Sequence, residues 1–280
     1  ITISDTGTLS LTGADLTNVT NFEKIVIGTD AGAAAVTLVD GNIASGKALT
    51  IDGTALVSGT YALTAITSAE TNGSVVVLGG AGDDLITASA SSMGDNLSGN
   101  AGADTFYFAS ANLTSVDVVN GGSGTDIIEL TDAGTLADSD FTNVTNVETL
   151  TTDDNNTTLV LGAEASEAGI ATVNLAAASK INSVTIGSGF ATNLTVALTD
   201  NTDSVVATEY TKDLTVTVNV DESLEAGDTI TGGTGSDTLT ITFDTDGAGT
   251  DTITAAEMAG VTKIETIKFA SNVEVDSLAL

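Results

Sequence analysis

The chain has 280 residues and a formal charge of −32, from 38 acidic and 6 basic side chains, with 41% apolar and 4% aromatic residues. Cys, His, Pro and Trp are absent, which excludes disulfides, thiolate metal sites, thiol catalysis and a conventional Ser-His-Asp triad. The acidic surface repels nucleic acid and anionic membranes, so neither is an expected partner, while the apolar content is too high for simple disorder.

With so few aromatic residues, the core must be built from β-branched and small side chains, as in stacked strands. A charge of this size strains a fold by self-repulsion unless cations bind, and calcium, which prefers carboxylate and carbonyl oxygens, is the obvious candidate. An acidic surface kept only for solubility is the other reading that composition leaves open. No apolar run approaches the ~20 residues that span a bilayer, and no basic segment followed by an apolar one marks a secretory signal peptide. A start at Ile1 suggests a processed or partial chain.

Short apolar alternations recur along the sequence. In the first third they are Ile25–Ile27, Val36–Val39, Leu49–Ile51, Leu63–Ile66 and Val75–Leu78. Farther on they are Leu159–Leu161, Val173–Leu175, Val184–Ile186, Leu194–Leu198 and Leu214–Val220. Turn residues separate them. The alternation is clearest where Leu214, Val216, Val218 and Val220 fall on one face and Thr215, Thr217 and Asn219 on the other, the period of a half-buried strand. Many short strands at this spacing predict an all-β fold, either a parallel β-solenoid or β-roll, or tandem β-sandwich-like units. Helix is expected only as short turns near 14–19, 164–168 and 255–260.

Three segments align without gaps: ADLTNVTNFEKIVI from Ala14, SDFTNVTNVETLTT from Ser139 and AEMAGVTKIETIKF from Ala256. They share a glutamate at Glu23, Glu148 and Glu265, which is either a cation ligand or a structural feature of the repeat. Glycine-rich stretches precede the second and third copies, and a similar stretch is expected before Ile1. The repeat divides the chain into units of 1–111, 112–222 and a truncated 223–280.

The stretches that bear on chemistry have the form G-G-x-G-x-D-x-U-x, with U a large apolar residue. They are GGAGDDLIT from Gly79, GNAGADTFY from Gly99, GGSGTDIIE from Gly121 and GGTGSDTLT from Gly232, with Asp84, Asp104, Asp126 and Asp237 at the acidic position. Extending the nine-residue register reaches weaker turns at Asp95, Asp117, Asp228 and Asp246. Glycines such as Gly80, Gly82, Gly102, Gly122, Gly124, Gly233 and Gly235 permit a tight turn that aims several carbonyls inward. The aspartate adds a carboxylate, and the next residues form a short strand. Stacked turns then share a divalent ion, so that aspartates nine residues apart jointly grip calcium between rungs. The DTDG at Asp244–Gly247 is not an EF-hand loop, because the closing glutamate is replaced by Ile253.

These motifs resemble RTX repeats, the calcium-binding β-roll modules of bacterial proteins exported by type I secretion. Together with the Val-Thr-Asn-Val-Glu segments in a Thr-, Ala- and Gly-rich chain, they resemble bacterial surface-layer proteins and large RTX adhesins. The resemblance implies several Ca2+ ions held by the motif aspartates and the carbonyls of the glycine-rich turns. The arrays are short and interrupted, so some sites are either incomplete or completed by other acidic side chains such as Asp83 or Asp251. The resemblance further implies a secreted structural protein of the bacterial cell surface, not an enzyme, in which calcium drives folding and self-assembly into a lattice or filament. Cell-surface polysaccharide is a further partner on this reading. The alternatives are an adhesin segment with a host or matrix ligand, or the accessory tail of a secreted enzyme. Thr-x-Thr pairs such as Thr215–Thr217 do not recur in register and carry no separate function.

Overall fold

Alternating apolar residues become strands that pair only in parallel. In the computed structural model, every strand pairing among the described residues is parallel. The structure describes residues 1–3, 7–28, 32–153, 156–175, 181–199, 201–219, 224–242, 252–270 and 277–279. A sandwich needs antiparallel neighbours, so the tandem-sandwich alternative is set aside and the chain is a parallel β-solenoid with very little helix.

The chain forms two units, one of residues 1–131 with 139–149 and one of 132–138 with 150–280. These packing units and the three sequence repeats divide the chain on different criteria. In the first unit, one sheet runs through Thr2–Ile3, Lys24–Ile27, Ala48–Asp52, Ser74–Leu78, Asn96–Ala101, Val118–Ser123 and Val144–Thr145. The facing strands, which alternate with these along the chain, are Leu9–Leu11, Ala34–Thr37, Leu63–Ile66, Leu85–Thr87, Thr105–Phe108 and Ile127–Leu130. The second unit pairs Gly134–Leu136, Thr157–Leu161, Ser183–Ile186, Ser204–Val206, Thr229–Thr231 and Val261–Thr262 in one sheet. Its other face is formed by Thr172–Asn174, Leu194–Ala197, Leu214–Asn219, Thr238–Thr242 and Thr266–Phe269.

Register converts the period of two into continuous apolar columns. Ile25, Ile51, Val77, Leu97, Val119 and Val144 stack strand upon strand. In the second unit Leu136, Leu159, Val184, Val205, Ile230 and Val261 do the same. All but Val261 are buried, each contributing roughly 1.5–3 kcal/mol by leaving water. A one-residue slip would turn a whole column outward, so the register is fixed by the core.

The three expected helical turns are present as Gly13–Leu16, Ala163–Ala168 and a 3-10 turn at Glu257–Gly260. Asp138 caps the second, its carboxylate accepting from the backbone N–H groups of Gly162, Glu164 and Ala165 at 2.7, 3.2 and 2.9 Å. No helix of the described residues is long and apolar enough to cross a membrane.

Candidate metal-binding turns

Each coil has two turns, one at either edge of the paired faces, and aspartates occupy both. In the first unit, Asp84, Asp104 and Asp126 each begin a strand of the second face, after the glycine-rich turn. The Asp104 carboxylate accepts from the Asp84 N–H at 2.8 Å, and the Asp126 carboxylate accepts from the Asp104 N–H at 2.8 Å. Below them Asp84 accepts from the Leu63 N–H at 2.6 Å, and above them Glu148 accepts from the Asp126 N–H at 2.8 Å. The second unit repeats this with Leu214, Asp237 and Glu265: Asp237 accepts from the Leu214 N–H at 2.9 Å and Glu265 from the Asp237 N–H at 2.8 Å.

Asp95 and Asp117 stack at the opposite edge. Asp95 accepts from the Val75 N–H and Asp117 from the Asp95 N–H, both at 2.9 Å. Aspartates nine residues apart therefore do not share a rung contact, contrary to the sequence reading. Successive nonapeptides face opposite edges because one coil holds two strands, and the stacking partner lies 20 or 22 residues away. Asp228 belongs to a matching stack in the second unit, in which Asn182 accepts from Thr157 N–H, Asp203 from Asn182 N–H and Asp228 from Asp203 N–H, at 3.3, 2.9 and 2.8 Å. Asn182 and Asp203 escaped the sequence reading because no glycine motif precedes them. A signal was present: Asn182-Ser-Val, Asp203-Ser-Val and Asp228-Thr-Ile each set an amide or carboxylate two residues before a core side chain. Asp246, Asp251 and the DTDG segment lie outside the described residues.

The two kinds of edge differ at the second carboxylate oxygen. At the non-glycine edge it is closed locally: Ser89 N–H donates to Asp95, Thr114 N–H to Asp117 and Glu225 N–H to Asp228, at 2.8, 2.9 and 2.7 Å. At the glycine edge, Gly80 N–H and Gly233 N–H donate to Asp84 and Asp237 at 2.6 Å. In the later turns, Oδ2 of Asp104 and Oδ2 of Asp126 are buried without a hydrogen-bond partner. Their turns are folded differently, with Asn100 at φ 72°, Gly102 at 125°, Gly122 at 113° and Gly124 at 148°.

Glycine is required here by close approach. A β-carbon on Gly99 would collide with Asp104 Oδ2 and the Gly121 carbonyl oxygen; one on Gly121 would meet Asp126 Oδ2 and the Asn146 carbonyl oxygen. Gly82, Gly102 and Gly124 likewise abut the carbonyls of Tyr61, Gly82 and Gly102, and Gly235 that of Lys212. Gly122 faces the Asn100 carbonyl, Gly80 that of Leu56 and Gly233 that of Tyr210.

Burial pushes these carboxyls up. Asp84 and Asp95 rise to about 6, chiefly by desolvation, and Asp203 rises to about 6 for the same reason. Asp104 rises to about 7, with the charges of Asp84, Asp126 and Asp83 adding to its burial. Asp126 is raised by burial and then by Glu148. Stacked, dehydrated carboxylates with free oxygens beside inward carbonyls form an oxygen-only donor set, which suits a hard cation such as calcium. Among the described residues no three acidic side chains converge, so any such ion would be held largely by backbone carbonyls.

A family model described as RTX calcium-binding nonapeptide repeat (4 copies) matches residues 71–92, 89–107, 94–112, 115–130 and 225–240. The chain contains RTX calcium-binding repeats. The matched segments carry Asp84, Asp95, Asp104, Asp117, Asp126, Asp228 and Asp237, and they stop short of Asn182, Asp203, Glu148 and Glu265. Neither the curated proteins nor the solved structures gave a match to this chain. RTX repeats bind Ca2+, and the buried aspartate ladder fits that chemistry. RTX proteins are generally secreted.

Proposed function

We propose that this chain is a segment of an extracellular scaffold at a bacterial cell surface, a surface-layer lattice or filament, whose folding and self-assembly depend on calcium. The observation that carries the calcium part is the pair of buried, unpartnered oxygens on Asp104 and Asp126, set in turns whose glycines bring carbonyl oxygens of the adjoining coil against them. Bound calcium would supply the positive charge that these turns lack. Asp84, Asp104, Asp126 and Asp237 hold successive coils in register through their first oxygens, leaving the second oxygens of Asp104 and Asp126 and the turn carbonyls to the ion.

Without a cation the same residues oppose folding. Net charge of −32 favours an expanded chain, a state that suits passage through an export channel. Extracellular calcium, at roughly millimolar levels, matches the affinity range of extracellular modules and would then drive compaction. The assembly part of the proposal rests on the repeat, in which coils of one pattern present parallel strands along each unit.

Circular dichroism and size-exclusion chromatography in calcium and in excess chelator test the first part. A compact β signal in calcium and an expanded, weakly structured chain in chelator are expected. Identical spectra and elution volumes in both would sink it. Electron microscopy with calcium tests the second: ordered sheets or filaments are expected, and dispersed particles at all concentrations would remove the lattice while leaving calcium-driven folding.

A further inference from the structure

The glycine-edge stacks do not end at their last GGxGxD turn. Above Asp126 the next coil contributes Val144–Thr145, then Asn146 at φ 52° and Glu148; above Asp237 it contributes Val261–Thr262, then Lys263 at φ 53° and Glu265. These are the second and third copies of the aligned sequence repeat, and Asn21 of the first copy has φ 59° at the same position. A left-handed conformation at a non-glycine residue is uncommon and is held here in every copy.

Two groups of each segment stand where a further RTX turn would put its own. Glu148 and Glu265 take the hydrogen bond that the next aspartate takes elsewhere, from Asp126 N–H and Asp237 N–H, at 2.8 Å. The carbonyls of Asn146 and Lys263 press against Gly121 and Gly232, as the Gly99 carbonyl presses against Gly79 and the Gly121 carbonyl against Gly99. The left-handed residue aims its carbonyl as the first glycine of a motif does. At the first of these positions the opposing oxygen, Asp126 Oδ2, is fully buried and has no hydrogen-bond partner. It lies against the same face of Gly121 as the Asn146 carbonyl.

We propose that Val144–Glu148 and Val261–Glu265 are closing turns that complete the last cation site of each stack, with the Asn146 or Lys263 carbonyl and the Glu148 or Glu265 carboxylate as ligands. This rests on the calcium reading above and extends it to segments outside the matched repeats. It assigns the shared glutamate, which the sequence left undecided, a ligand role, and it makes the number of sites in each stack equal to its number of glycine-rich turns, one more than those turns form among themselves. Calcium affinity scales with the number of charged ligands in a site, so the glutamate charge, not merely its hydrogen bond, is the tested quantity.

Glu148→Gln and Glu265→Gln keep an acceptor for the aspartate N–H and remove the charge. Calcium stoichiometry by isothermal titration calorimetry and the calcium-induced rise in Tm are measured on the full chain, with Asp104→Asn as a control within a matched repeat. Each glutamine variant is expected to lose one ion, or to bind it at least tenfold more weakly, with Tm in chelator unchanged. The double variant is expected to lose two. Undiminished stoichiometry and affinity in both glutamine variants, with binding impaired in Asp104→Asn, would overturn the closing-turn site and leave the RTX sites standing. Absence of any calcium binding by the parent chain would overturn the underlying calcium reading instead.

Discussion

At both edges of the coil an aspartate begins a strand and receives the N–H of the residue below it, yet the two edges are built for different ends. Asp117 is complete as it stands: one oxygen takes the Asp95 N–H, and the other takes the N–H and hydroxyl of Thr114, each at 2.9 Å. Asp104 has the same first bond, but its second oxygen is buried with nothing donating to it. The difference lies in the preceding turn. A Ser or Thr turn offers a local donor, whereas the glycine turns before Asp104 and Asp126 bring carbonyl oxygens against a carboxylate oxygen that nothing donates to. One edge is a hydrogen-bonded spine; the other is an arrangement of oxygens that calls for a cation. The comparison teaches that the full glycine motif is not needed for the ladder, because Asn182, Asp203 and Asp228 build one without it, Gly227 alone standing before Asp228.

The largest expected effect comes from filling the glycine edge. Gly99→Val places side-chain atoms where Asp104 Oδ2 and the Gly121 carbonyl already lie, and the latter is backbone that cannot swing aside. Overpacking of this kind costs about 3 kcal/mol or more. By contrast, the nearest atom to a β-carbon on Gly59 is the Ala81 carbonyl at 3.5 Å, so Gly59→Ala is expected to be near neutral. Denaturant melts of both variants in calcium check this; equal midpoints would show that the glycine edge is not closely packed.

A smaller effect separates the two edges by their response to calcium. Asp117→Ala leaves the Asp95 and Thr114 N–H groups without acceptors, a loss of about 1–3 kcal/mol per buried group, in calcium and in chelator alike. Asp104→Asn keeps the acceptor for Asp84 N–H and removes a carboxyl already pushed up to about 7, so in chelator it is neutral or stabilising. In calcium it forfeits a charged ligand. Tm measured for both variants with and without calcium is expected to show a constant deficit for the first and a calcium-dependent one for the second. A calcium-independent deficit in Asp104→Asn would erase the distinction between the edges.

The sequence made the strands and the motif aspartates legible because both depend on short-range pattern. Leu214, Val216 and Val218 are buried as their alternation requires, and Asp84, Asp95, Asp104, Asp117, Asp126, Asp228 and Asp237 are all buried. What it hid depends on the length of the coil. Nine-residue spacing joins Asp95 to Asp104 along the chain, but only the fold reveals that they sit on opposite edges and that Asp104 meets Asp84. Glu148 and Glu265 were visible as a repeat, but their partners lie 22 and 28 residues upstream, beyond any local motif. Asp203 was hidden for the opposite reason: it needs no special turn, so nothing glycine-rich announces it.

The smallest effect is expected where the spine carries an amide in place of a carboxylate. Asn182 accepts from Thr157 N–H, and its Nδ2 is a buried donor without a partner. Asn182→Asp removes that stranded donor, worth about 1 kcal/mol, but sets a second carboxyl beside Asp203, whose first oxygen takes the Asn182 N–H. Asp203 is already pushed up to about 6 by burial, and Asp228 adds to this. A carboxyl raised in the folded state contributes stability that is full below its unfolded value of 3.8 and is lost as pH rises through about 6. In chelator, the parent protein is therefore more stable at pH 5 than at pH 8, and the substitution steepens this dependence. Relative to the parent, Asn182→Asp is expected to melt about 2–4 °C higher at pH 5 and at or below the parent at pH 8. An equal offset at both pH values would mean that neighbouring rungs of the spine do not sense one another's charge. The ladder would then be a set of independent caps, with electrostatic coupling confined to the glycine edge, where Asp84, Asp104 and Asp126 stand in line.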